Sequence, residues 1–298
     1  MSTSVGESPD DGSVEATRPA PQPGPSSQLR PRLARVLAPN PSVMTGPGTN
    51  SYVVGDVDLV VVDPGPIDPG HLARLLDRVA DRLRYVLVTH HHPDHAPLAR
   101  ELADRAGVPL LAFGYEGLVT PDRSLRDGDV VELGDLEIRA VHTPGHAVDH
   151  LCYLVATRSE DHLPILLSGD HIMSGSTVVV APPEGDMTAY LDSLERLVST
   201  DFGPFEIAPG HGSLIEDGPA KVRAYIEHRL EREQMVRNAL RAGEATAAEL
   251  VPRIYARLAP ALVRAATSSV WAHLRRLGDL GEAYSDDRER VDASWSLR

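Results

Sequence analysis

The stretch "VLVTHHHPDHAPLA", residues 86–99, places four histidines and one aspartate within six positions, directly after an apolar run. A short, continuously apolar segment such as "RYVLVTH" predicts a strand covered on both faces. Its polar end should then lie at the rim of a sheet. Three more pieces share this layout: "HTPGH", ending at His146, follows "LEIRAV"; "SGD", ending at Asp170, follows "PILL"; "PGHG", centred on His211, follows "FEIA". Strand ends at one rim converge in space, so these residues are expected to meet although far apart in sequence.

The spacing suggests what they do. His90 and His92 are two residues apart and face the same way in extended backbone, so they can share one metal ion. Pro93 helps turn the chain, which lets Asp94 and His95 address a second ion. His146 can complete three nitrogens on the first site, and His211 can add a nitrogen to the second. Asp170 has two oxygens and can bridge. Imidazole and carboxylate without thiolate suit Zn2+, two per chain, with Mn2+ or Fe2+ as alternatives. Two ions bridged by Asp170 would bring a shared water to a near-neutral pKa for attack on a carbonyl or phosphorus centre. Asp94 and Asp170 are thus the candidate catalytic carboxylates. His91, His142, His150 and His171 lie beside the pattern, as supporting or loop residues. His71, His162, His228 and His273 read as structural or exposed.

These pieces, "THHHPDH", "HTPGH", "SGD" and "PGHG", resemble the metallo-β-lactamase superfamily over about residues 33–280. All seven positions of its HxHxDH, His, Asp, His pattern are present. The resemblance implies a four-layer αβ/βα sandwich. It also implies one metal at His90, His92 and His146, another at Asp94, His95 and His211, and Asp170 between them. "GTNSYVVG", "SGDHIMSGSTVV", "GDMTAYLDSLERL" and "KVRAYIEHRLEREQ" look like the β-lactamase-like-protein-2 branch, which implies a small C-terminal helical winged-helix-like domain.

The flanking sequence agrees with an α/β fold. Tyr52–Val54 and Leu59–Val62 flank the Gly55-Asp56 turn signal and predict a hairpin. Leu72, Leu75, Leu76, Val79 and Leu83 have helical spacing. "APLARELADRAG" reads as a helix closed by Gly107. "MTAYLDSLERLVST" reads as an amphipathic helix. Residues 1–30 are rich in Pro, Ser and Gly and predict a disordered tail. Residues 31–219 form the expected catalytic domain, and residues 220–298 the helical one, with Thr246 and Glu249 a possible capping box. The wing reads as cut short at "GDLGEAYSD".

Composition narrows the function. The 298 residues carry a net charge of −14, unevenly spread. Residues 31–219 hold 13 basic and 28 acidic groups, whereas residues 220–298 hold 14 and 11, an excess of +3. An acidic body is a poor generic binder of nucleic acid. Cys152 is the single cysteine, which suits a reducing, cytoplasmic setting. No apolar run is long enough to span a membrane, and no export signal is read, so periplasmic β-lactam hydrolysis is not expected. The expected function is metal-dependent hydrolysis of an ester or thioester, on a small-molecule or acyl substrate. The alternatives are cleavage of single-stranded RNA and, from another class, a metal-binding nucleic-acid regulator. The sequence does not define the oligomeric state.

Overall fold

The structure, a computed structural model, describes residues 26–115, 119–158, 162–175, 177–199 and 202–298. Its first sheet runs in chain order: β1 (Ser27–Arg30), β2 (Leu33–Leu37), β3 (Asn50–Gly55), β4 (Leu59–Val62), β5 (Leu83–Leu87), β6 (Leu110–Phe113) and β7 (Arg123–Leu125). The first four strands pair antiparallel and the rest parallel. The predicted hairpin is β3–β4. In β4, Val60 and Val62 enter the core between the two sheets, while Leu59 and Val61 enter a core under helices. Burial on both faces explains the unbroken apolar run.

Those helices are α1 (Pro69–Val79) and α2 (Ala99–Ala106). Asp68 caps α1 by accepting the His71 N–H at 2.6 Å, with Pro69 in the first turn. Leu72, Leu75 and Val79 face the sheet. Leu83 departs from the expectation. The helix stops at Val79, a short 3-10 turn follows, and Leu83 opens β5. Helix α2 ends at Gly107 as expected.

The second sheet has the order β12–β11–β10–β9–β8, built from β8 (Val130–Leu133), β9 (Leu136–His142), β10 (Leu151–Thr157), β11 (Ile165–Gly169) and β12 (Glu206–Pro209). Only β11 and β12 pair parallel, and α3 (Met187–Leu197) lies in their crossover. Ile138, Tyr153 and Leu167 meet the first sheet, whereas Val141, Leu166 and Ile207 meet α3 and the next helix. The result is the four-layer αβ/βα sandwich.

The next helix, α4 (Gly218–Leu240), is capped by Asp217, which accepts the Ala220 N–H. The boundary expected at residue 219 therefore falls within its first turn. Val222 and Tyr225 join the core beside α3, while Val236 and Leu240 join a separate core with α5 (Ala247–Ile254) and α6 (Val263–Asp279). Thr246 and Glu249 form the capping box. The wing runs further than the sequence reading had it: β13 (Ala245–Thr246), β15 (Ser294–Leu297) and β14 (Ala283–Tyr284) form a sheet with β15 central. Trp295 anchors it, fully buried. The expected N-terminal tail also needs shortening. Residues 1–25 lie outside the described residues, but Ser27–Arg30 pair with β2, and Arg30 binds the Glu206 carboxylate. No described helix is long and apolar enough to cross a membrane.

Candidate metal centre

The loops after β4, β5, β9, β11 and β12 gather at one rim. Main-chain and side-chain bonds tie the two sheets together there. Asn50 N donates to Gly210 O at 2.8 Å, and Tyr52 Oη donates to Pro209 O at 2.7 Å. Three groups of candidate ligands result among the described residues: His90, His92 and His146; Asp94, His95, Asp170 and His211; and, shared with the first through His92, His91, His92 and Glu184. All seven residues singled out in the sequence are brought together. In the first group, His92 Nδ1 lies 3.0 Å from both His90 Nε2 and His146 Nε2. Strand β5 stops at Leu87, so His90 and His92 lie in the irregular loop beyond it, and the turn begins at Pro93. In the second group, His211 Nε2 lies 3.2 Å from Asp94 Oδ2 and 3.3 Å from Asp170 Oδ1. His95 Nε2 is also 3.3 Å from Asp170 Oδ1. The other Asp170 oxygen turns to the first group, 3.8 Å from His146 Nε2.

In His90, His95, His146 and His211 the ring nitrogen facing away from the centre is hydrogen-bonded, which places a proton on Nδ1. His146 Nδ1–H donates to Val179 O at 2.9 Å, and His211 Nδ1–H to Gly48 O at 3.2 Å. His95 Nδ1–H donates to Asp63 Oδ2 at 2.8 Å. His90 Nδ1–H donates to Thr89 Oγ1 at 2.9 Å, and that hydroxyl donates to Asp63 Oδ2 at 2.7 Å. His92 Nε2 faces Glu184 Oε1 at 3.4 Å. The Nε2 atoms of the other four rings face inward, where a metal would displace any proton they carry. His95 Nε2 and Asp170 Oδ1 are buried with no hydrogen-bond partner among the described atoms. Such atoms are costly to bury unless something satisfies them. A divalent cation fits that need.

Charge is divided between the groups. Burial, helped by four neighbouring imidazoles, pushes His90 well below its usual range, and burial brings His146 down to about 4. These rings are neutral ligands. In the second group burial acts in the same direction, but Asp170 outweighs it and raises His211 to about 9; Asp170 and Asp63 raise His95 well above its usual range. Burial would raise Asp170, yet His95 and His211 hold it well below the usual carboxylate range. The carboxylates of the second group thus draw protons onto His95 and His211, and a divalent cation would take the place of those protons.

The repeated Gly-ligand pairs have a packing cause. A Cβ on Gly210 would stand 2.7 Å from Asp170 Oδ1 and 2.8 Å from His95 Cε1. A Cβ on Gly145 would stand 2.3 Å from the Tyr190 Cα in α3. The ligand-bearing backbone fits only without side chains at these points.

Asp63, Thr89, Asp149 and Glu184 were not singled out in the sequence. Asp63 was within reach: a carboxylate following the apolar "LVVV" marks the same rim. It is 2% exposed, and its backbone takes a positive φ of 52°. His91 turns from the centre and bridges Asp149 Oδ1 at 2.9 Å and Glu184 Oε1 at 3.1 Å. His150 and His171 are buried behind the ligands, and His142 stacks on Phe113 at 4.4 Å. His71 and His273 are buried, as structural histidines.

The family model described as "Metallo-beta-lactamase superfamily" matches residues 44–211, and the chain belongs to that superfamily. It is a hydrolase of the metallo-β-lactamase fold, a fold that generally binds divalent metals. The "Beta-lactamase associated winged helix domain" matches residues 246–295, so helix α4 lies between the two matched segments. The chain is 34% identical over 227 residues to the "Lactamase-like protein vrtG" of Penicillium aethiopicum and equally to the "Atrochrysone carboxyl ACP thioesterase" of Aspergillus chevalieri, covering 72% of this chain and 67% of each relative. Among solved structures, it is similar to a beta-lactamase domain protein from Burkholderia ambifaria, with TM-score 0.76, 23% identity, and coverage of 92% and 93% of the two chains. A metallo-beta-lactamase family protein from Thermus thermophilus gives TM-score 0.72, 22% identity, and coverage of 91% and 100%. These two likenesses concern the fold.

Proposed function

We propose that the chain hydrolyses an acyl thioester with two zinc ions, one held by His90, His92 and His146 and the other by Asp94, His95 and His211, with Asp170 between them. The observation that carries the substrate class is the wall of the cavity over the ligands. This cavity of about 250 Å3 is faced by Met44, Met173, Val178, Val179 and Ala181 beside the ligands and Glu184. No arginine or lysine is among the described residues lining it. Recognition of a phosphodiester backbone relies on cations, whereas an uncharged acyl carbonyl does not. The thioesterase named among the relatives supports the same choice.

Bound divalent cations would supply Lewis acidity and an acidified water. The protein's own residues do the rest. Asp63 and the Val179 and Gly48 carbonyls lock His95, His146 and His211 so that their Nε2 atoms face inward. Asp170 and Asp94 supply compensating negative charge, and Asp94, which would hold an ion beside His211, could also orient the attacking water. The apolar wall offers the acyl side a surface to pack against.

A panel on metal-loaded protein tests this reading: acyl N-acetylcysteamine thioesters, a lactone, a chromogenic β-lactam and single-stranded RNA, with Asp170→Asn as the blank. Thioester turnover should dominate and vanish in the blank. RNA cleavage without thioester turnover would overturn it.

A further inference from the structure

The apolar wall of the cavity does not hold itself in place. Its main chain is fastened from behind by side chains of α3 and α4. The Tyr225 hydroxyl donates to Met173 O and accepts from Met173 N, both at 3.0 Å. One turn further along α4, the Arg229 guanidinium donates to Val178 O and lies over the Tyr190 ring, 5.2 Å from its centroid. Tyr190 in turn donates to His171 O at 2.7 Å. Met173 and Val178 line the cavity, so the fastened residues are themselves the wall.

Arg229 is the unusual member. It is 3% exposed, its Nε has no hydrogen-bond partner, and no carboxylate pairs with it among the described ion pairs. The neighbouring Glu233 is taken by Arg276 and Arg237. Burying a guanidinium for one carbonyl and the ring and hydroxyl of Tyr190 is expensive, and well-packed apolar side chains are often at least as stabilising in such places. What the cation adds is a fixed position for the carbonyl it binds.

We propose that Arg229 and Tyr225 are positioning residues that set the shape of the acyl-binding wall, so that helix α4 governs which acyl groups fit. The reading of acyl chains rests on the thioesterase proposal, but the fastening of the wall does not. Loss of either contact should leave the ligand side chains in place and relax residues 173–181.

The test uses the full-length, metal-loaded chain with Arg229→Met, Arg229→Lys and Tyr225→Phe. Acetyl and octanoyl N-acetylcysteamine thioesters are compared, and peptide-resolved hydrogen exchange is recorded in parallel. Arg229→Met and Tyr225→Phe should raise KM about tenfold for the preferred acyl chain with kcat little changed, the pattern of lost uniform binding. Discrimination between chain lengths should shrink. Exchange should quicken at 173–181 and stay unchanged in β9 and β10. Arg229→Lys should stay close to wild type, because it can still donate to Val178 O. The double variant should be less than additive. Unchanged KM and chain-length preference would overturn the proposal, as would loss of metal or faster exchange throughout the catalytic core. If the wild type turns over no thioester, exchange still decides the positioning: unaltered protection at 173–181 refutes it.

Discussion

Replacing Asp63 with asparagine tests how the ligand set is held. The Asp63 carboxylate accepts three hydrogen bonds, from Thr89 N and Thr89 Oγ1 at 2.7 Å each and from His95 Nδ1 at 2.8 Å. It reaches the second ligand group through His95 and the first through Thr89 and His90. In Asp63→Asn, one oxygen can keep the Thr89 N–H. The amide nitrogen then faces Thr89 Oγ1 and His95 Nδ1, where donors confront a donor. A hydrogen bond to a charged group is worth about 1.5–3 kcal/mol. At about 1.4 kcal/mol per decade, that is roughly a 10- to 150-fold loss in affinity. Substitutions at such supporting partners typically cost about 10- to 100-fold. Competition against a chromophoric chelator reads the two dissociation constants. The second ion should weaken by about 10- to 100-fold, and the first by less, because His90 feels Asp63 only through a hydroxyl. If both constants stay within about threefold of wild type in a folded variant, the assigned tautomers and their anchoring are wrong.

Other outcomes follow from the same geometry. Asp170→Asn should abolish turnover while leaving the circular dichroism spectrum unchanged; near-normal turnover in a folded variant would remove Asp170 from the centre. Elemental analysis should find close to two transition-metal ions per chain, and chelation should lower the Tm, since each site at a hundredfold excess over its Kd adds about 2.7 kcal/mol. One ion in a fully active enzyme would refute the binuclear arrangement. The His71 imidazole gives a pH signature. Burial, aided by Arg74, lowers it to about 4 in the folded chain. The unfolded chain therefore binds the extra proton first, and stability present above pH 6.5 should fall by about 3 kcal/mol as the pH drops to 4. His71→Asn should lose that component of the acid limb in urea titrations at several pH values, and an unchanged slope would contradict it.

Much of the centre was legible because its chemistry is dense in sequence. His90, His92, Asp94 and His95 lie in one turn, and His146, Asp170 and His211 each follow a glycine at a strand end. The structure shows that those glycines are steric necessities where backbone, ligand and α3 crowd together. Glu184 was missed because a single carboxylate in a Pro-rich loop carries no pattern, and Asp63, though it follows an apolar strand, has no histidine beside it; their partners lie 92 and 26 residues away, at His92 and Thr89. Leu83 shows how helical spacing runs on into a strand when an apolar residue happens to fall in phase. The wing was underestimated because its central strand, Ser294–Leu297, is only four residues long. Tertiary burial of Trp295, rather than local propensity, holds it.

Helix α4 also bears on how such a protein can be taken apart or recombined. Its first half supplies Val222 and Tyr225 to one core, and its second half supplies Val236 and Leu240 to another. It lies between the segments that match family models and is shared by both cores. A cut at residue 219 would strip the hydrolase of part of its own interior, removing Val222 and Tyr225 from the core they share with α3. A C-terminal module exchanged between relatives would have to bring a matching α4 with it, or the fusion would fold with a fissure behind its substrate wall. In this architecture the unit of inheritance and the unit of folding do not share a boundary.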